Sequence, residues 1–155
     1  MRKSAAAGWI LAVLLFGTAY LTAPAPPADT AVMPETEEPP VHRDADLTLA
    51  ILDGGAVQTM TLADYLTGVV RGEMPASFEL EALKAQAAAE RSYVYYQLSK
   101  GRKDAHPNAD FCTDHTCCSA FLSEASAKEK WGGDFLPWNT RVGQAVSATD
   151  GQVAL

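Results

Sequence analysis

Residues 5–23 (AAAGWILAVLLFGTAYLTA) carry no charge, and residues 24–44 hold six of the chain's nine prolines. Together these two segments remove more than a quarter of the chain from any globular core. The first is about as long as a helix needs to cross a bilayer. Arg2 and Lys3 precede it, which predicts a cytoplasmic stub and membrane anchor over residues 1–23 with the remainder exported. A cleaved signal peptide is the rival reading, with small residues at Thr22, Ala23 and Ala25 as the cleavage context. The second segment adds Asp29, Glu35, Glu37 and Glu38 to its prolines, so it cannot bury enough apolar surface to offset its ordering entropy. It reads as a disordered, extended Pro/acidic tether. Only residues 45–155 are left to fold, enough for one small core.

The net charge of −7 argues against a nucleic-acid partner, whose phosphates require clustered Lys and Arg. Within the folded part, Leu47–Leu52 reads as a strand, Asp53-Gly54-Gly55 as a tight turn and Ala56–Met60 as the returning strand. Thr61 can cap a helix to about Arg71, ended by Gly72, with Pro75 preventing its continuation. Ser77 can cap a second helix running to about Lys100, with Leu80, Leu83, Ala87, Val94 and Leu98 as its apolar face and Gly101 as its stop. A polar loop follows, then a helix from Ser123 to Trp131. Gly133, Pro137 and Asn139 break the chain before a segment of mixed signals, Arg141–Thr149, and Gly151-Gln152-Val153 reads as the start of a strand. These elements predict an α+β fold of mixed helices and strands.

Two groups of residues carry chemistry. Glu73, in the turn Gly72-Glu73-Met74-Pro75, precedes a helix bearing Lys84 and Arg91, which lie seven residues apart and share a face. A carboxylate beside basic groups can transfer protons, and a carboxylate at a helix junction can equally be a capping or exposed group. Lys84 can shape the field around Glu73 and Arg91 can bind a substrate oxygen; salt bridges to Glu81 or Glu90 are the alternative. The second group is His106, Cys112, His115, Cys117 and Cys118. Three cysteines in an exported domain allow one disulfide and a spare thiol, or they join histidine in a tetrahedral zinc site. Trp131 and Trp138 can offer sugar-stacking faces, but a tryptophan in a small domain is more often core, and they are read so.

The ordered motifs Leu62–Val70, Gly72–Pro75, Glu81–Ala87, Arg91–Tyr93, Cys112–Cys118 and Ala148–Val153 resemble the stage II sporulation protein D family, which also includes amidase enhancers. The resemblance spans most of residues 45–155. It implies a membrane-anchored lytic transglycosylase that cuts peptidoglycan glycan strands, already freed of stem peptides by an amidase, during endospore engulfment. It places Glu73 as the single acid/base, Lys84 and Arg91 in the substrate cleft, and the domain on the extracytoplasmic side of a single-pass anchor. Partners implied are the glycan strand, the membrane, a cell-wall amidase and the membrane scaffold of the engulfment machinery. No cofactor is required for catalysis. Some members bind structural zinc; alignment of the loop puts Cys112 and Cys118 on the family's cysteine pair and Cys117 on its usual histidine, with His106 as fourth ligand. A Cys112–Cys118 disulfide is the alternative. Glu90 and Ser92 depart from the family's usual small residue and threonine. Family domains run on past the position matching Leu155, so the resemblance also implies an incomplete domain. A non-enzymatic wall-binding or amidase-activating protein, or an inactive fragment, are the alternative functions.

Overall fold

The strand pair begins where the alternation of apolar residues begins. β1 (Thr48–Asp53) buries Leu49 and Ile51 and pairs antiparallel with β2 (Ala56–Thr61), Asp53 opposite Ala56. The two residues between them, Gly54 and Gly55, both have positive φ (55° and 90°), the requirement of the two-residue hairpin turn that fits strand twist. The structure, a computed structural model, describes residues 43–154. The expected anchor or signal peptide and nearly all of the tether lie outside the described residues.

Thr61 ends β2 and starts helix α1 (Leu62–Glu73). Its hydroxyl accepts the Asp64 N–H at 3.1 Å and donates to the Asp64 carboxylate at 2.7 Å, a reciprocal cap. Leu62, Tyr65, Leu66, Val69 and Val70 bury one face of this helix. The helix extends past Gly72, the expected end, to Glu73. Its stop is Met74-Pro75: the residue before a proline is driven to extended backbone, and Met74 has φ −134° and ψ 138°. Ser77 does not cap the next helix, because Phe78 N–H closes a turn onto Pro75 O at 3.0 Å and holds residues 75–78 outside it. Helix α2 therefore runs Leu80–Lys100 and stops at Gly101 as expected.

On α2 the residues at core spacing are Leu83, Ala87, Arg91 and Val94, all fully buried. The arginine is compensated. Its Nε and Nη2 donate to the two carboxylate oxygens of Asp44 at 2.8 and 2.6 Å, and Nη1 donates to Gln152 O at 3.0 Å. Asp44, which the sequence assigned to the tether, is 2% exposed, and its N–H donates to Asp150 Oδ1 at 2.8 Å. Gly151-Gln152-Val153 is turn and irregular chain rather than strand. Asp44, Arg91 and Gln152 thus tie both ends of the described region to the middle helix.

The polar loop after α2 contains a two-residue strand, β3 (Phe111–Cys112), which adds parallel to β1 and makes the sheet order β2-β1-β3. Ser123 caps α3 (Glu124–Trp131) as expected. A short 3-10 turn at Gly132–Asp134 leads into α4 (Phe135–Ala148). Pro137 does not break α4, since it occupies the first turn, where the missing N–H has no partner to lose. Val142, Ala145 and Val146 of α4 pack with the buried faces of α1 and α2 to form the core. The described part is a mixed fold of a three-stranded sheet and four α-helices, and no described helix is long and apolar enough to cross a membrane.

Candidate functional site

Glu73 is the last residue of α1, at the mouth of a cleft of about 440 Å³. Arg71 and Lys130 supply positive charge in this cleft, and Trp131 and Trp138 supply aromatic surface. The two indoles meet edge to face, with centroids 5.6 Å apart and planes at 82°. Arg71 is held by Asn139 of α4, Nε to Oδ1 at 2.9 Å. Among the described lining residues Glu73 is the sole carboxylate. A second cavity of about 530 Å³, reaching Arg141 and Gln144, shares the lining residues Ala76, Ser77 and Trp138 with the first.

Glu73 is oriented by backbone. Ala120 N–H donates to its Oε1 at 2.6 Å. Residues 120–122 can reach that carboxylate because α1 presents glycine at two positions one turn apart. A Cβ on Gly72 would sit 2.6 Å from Ala120 O, and one on Gly68 would sit 2.1 Å from the Phe121 ring. Leu122 N–H completes the seam on Gly68 O at 3.0 Å. Gly72 therefore serves close approach of the loop rather than helix termination.

The structure separates the two basic residues expected beside Glu73. Lys84 is ion-paired with Glu81 at 2.8 Å and is not among the cleft's lining residues. Arg91, expected to bind substrate, is at 0% exposure in the interior and cannot touch one there. The cations that do line the cleft are Arg71 and Lys130, and the tryptophans read as core pack against it, as expected, while their other faces wall the cleft. Nothing in the spacing of Lys130-Trp131 or Trp138 pointed to Glu73; only the course of α3 and α4 brings them there. Arg91 did carry a signal, a charged residue on an otherwise apolar stripe.

Glu90, in the sequence a departure from the family pattern and a candidate salt-bridge partner, pairs with no cation among the described residues. Its Oε2 accepts Ser119 Oγ–H at 2.8 Å and its Oε1 accepts Gln86 Nε2–H at 2.9 Å. Burial pushes this carboxyl above the ordinary range; the Ser119 bond opposes the shift, and the charge of Glu73 adds to it.

The loop that carries Ala120 begins in the cysteine cluster. β3 fixes Cys112 through its pairing with Leu52 of β1. One ligand atom from each of His106, Cys112, Cys117 and Cys118 lies within 4.8 Å of the others, while His115 is exposed and stays out of the group. His106 is buried, and its Nδ1 lies 3.0 Å from Ala109 O, the geometry of a donated N–H. That bond leaves Nε2 to carry the lone pair, 3.4 Å from Cys118 Sγ. All three cysteines are free thiols. Burial pushes the Cys112 thiol up to about 12. Burial acts in the same sense on Cys118 but is outweighed by bonds to the Cys112 backbone and the His106 ring, so that thiol lies below its ordinary value. Three sulfurs and one correctly presented imidazole nitrogen fit a tetrahedral zinc site.

With this geometry in place, comparison with known proteins is direct. The family model for stage II sporulation protein, of the D type, matches residues 53–155. The chain belongs to this family. The stage II sporulation protein D of Bacillus subtilis (strain 168) is 29% identical over 136 residues, covering 88% of this chain and 37% of that protein. The stage II sporulation protein D of Bacillus amyloliquefaciens is 32% identical over 99 residues, 63% of this chain and 28% of that protein. An uncharacterized protein of Brachyspira hyodysenteriae is 31% identical over 99 residues, 64% of this chain and 23% of that protein. The chain thus spans well under half the length of these curated relatives. Membership associates this stage II sporulation domain with sporulation.

Proposed function

We propose that this domain is a cell-wall lytic transglycosylase that cleaves peptidoglycan glycan strands freed of stem peptides. The observation that carries the reading is a single carboxylate, Glu73, backbone-oriented at the mouth of a cleft walled by two tryptophans and two cations. Hydrolytic glycosidases use two carboxylates flanking the scissile bond. A transglycosylase needs one, because the sugar supplies its own nucleophile. Protonated Glu73 gives its proton to the glycosidic oxygen as the C1–O bond breaks. The 6-hydroxyl of the same sugar then bonds to C1 and returns its proton to Glu73, leaving a 1,6-anhydro end and a regenerated acid. The Ala120 N–H supports the carboxylate form between these steps. The neighbouring cavity, which shares Trp138 and reaches Arg141, offers further surface for a polymer.

In this reading the cysteine cluster, with His106, Cys112, Cys117 and Cys118 as ligands, holds zinc as a pin for the loop leading to Ala120. A Cys112–Cys118 disulfide leaves unexplained why the His106 ring nitrogen faces Cys118 Sγ at 3.4 Å and why Cys117 joins the same cluster. The same reading sets residues 5–23 as the anchor, the domain outside the membrane, and a cell-wall amidase as the enzyme acting before it.

Mass spectrometry of denuded glycan after incubation with the protein tests the proposal. Products ending in 1,6-anhydro sugars support it. Reducing ends alone would indicate hydrolysis. Binding of glycan, or faster amidase turnover, without any cleavage would indicate the non-enzymatic reading.

A further inference from the structure

Two carboxylates from different helices are gripped by consecutive residues of one loop. Ser119 Oγ–H donates to Glu90 Oε2 at 2.8 Å, and Ala120 N–H donates to Glu73 Oε1 at 2.6 Å. Glu90 is itself held, through Gln86 Nε2–H on its other oxygen at 2.9 Å. It does not line the Glu73 cleft, and Ser119 is buried, so neither touches a ligand there. A buried hydroxyl that loses its acceptor must find another partner or remain unpaired, and the loop would move to satisfy it.

We propose that Glu90 is a positioning residue for Glu73, acting through Ser119 to hold the Ala120 N–H on the Glu73 carboxylate. This rests on the assignment of Glu73 as the acid. The loop has other fixed points: on the α1 side the Leu122 N–H bond to Gly68 O, the fit of Ala120 against Gly72 and the Phe121 ring stacked on Tyr65, and before them Cys118 in the thiol cluster. Glu90 provides an anchor on the α2 side. Without it, residues 119–120 lose their α2-side anchor, and a shift of about 1 Å at a proton-transferring group is enough to cost rate. The acceptor oxygen matters more than the charge, so glutamine should serve where alanine does not.

The test compares Glu90→Ala, Glu90→Gln, Ser119→Ala and the Glu90→Ala/Ser119→Ala double variant in the full 155-residue chain. Hydrogen exchange at the Ala120 amide, read by NMR, should accelerate about tenfold or more in Glu90→Ala and Ser119→Ala. On denuded glycan strands both should lose about tenfold in kcat with KM nearly unchanged. The double variant should lose no more than either single, since both remove one link. Glu90→Gln should recover most of the loss. Unchanged Ala120 exchange in Glu90→Ala overturns the proposal, as do additive losses in the double variant or a Glu90→Gln as impaired as Glu90→Ala. A Glu73→Gln variant that still cleaves overturns the assignment of the acid instead, and Ala120 exchange then decides the coupling on its own.

Discussion

A residue's chemistry here depends on which helix face it occupies, as the two charged neighbours Glu90 and Arg91 show. Arg91 lies on the stripe Leu83, Ala87, Val94 and is fully buried, its charge matched by Asp44. Removing one member of a buried pair leaves the other charge uncompensated, at a cost of about 3–5 kcal/mol. Asp44→Ala should therefore lower the unfolding free energy by about that amount, measured by urea denaturation, whereas Lys84→Ala, at an exposed pair, should change it by under about 1 kcal/mol. Glu90 makes the opposite prediction in pH. Its folded-state carboxyl is raised by burial, so its stabilising contribution is complete below the ordinary glutamate value of about 4.3 and is lost as pH rises through the folded value. Glu90→Gln should match wild type in Tm near pH 4 and exceed it increasingly toward pH 7; a gap that narrows instead would contradict the assignment. Arg91's burial was legible in principle from its place on an apolar stripe. The partner was not, because Asp44 lies 47 positions away in a stretch that composition marks as tether.

Elements that rest on local signals came out of the sequence nearly intact. The Gly54-Gly55 hairpin, the Thr61 cap, the Gly101 stop and the Ser123 cap all act within a few residues. Elements that rest on distant partners did not. β3 is two residues long and exists because β1 offers an edge, and α4 tolerates Pro137 because of its position in the first turn. The Glu73 site depends on such a distant contact, the seam between Gly68/Gly72 and residues 120–122. Gly72→Ala forces its new methyl against Ala120 backbone, which cannot rotate away as a side chain could. It should destabilise the domain by about 1–3 kcal/mol and lower glycan cleavage, checked by thermal melts and product yield. The loop's other end makes a prediction about metal. Protein isolated without chelator should carry about one zinc per chain by elemental analysis, from four ligands. Chelation should lower Tm, and Cys112→Ser should abolish both the zinc and the chelator effect.

At the scale of the molecule, four helices and a small sheet bring the end of α1, the end of α3 and the first turn of α4 to one cleft, with the loop after the cysteine cluster bonded to Glu73. Motif order in the sequence was enough to indicate the family and to single out Glu73. It could not show which side chains surround that carboxylate, since Lys130, Trp131 and Trp138 come from helices with no motif of their own. The family contributes the expectation of glycan cleavage; the cleft contributes a single carboxylate among its described lining residues. The measurement that bears most directly on this account is product analysis of Glu73→Gln. With a melt showing an intact fold, the variant should bind denuded glycan but release no 1,6-anhydro ends. Continued release of those ends by folded Glu73→Gln would contradict it.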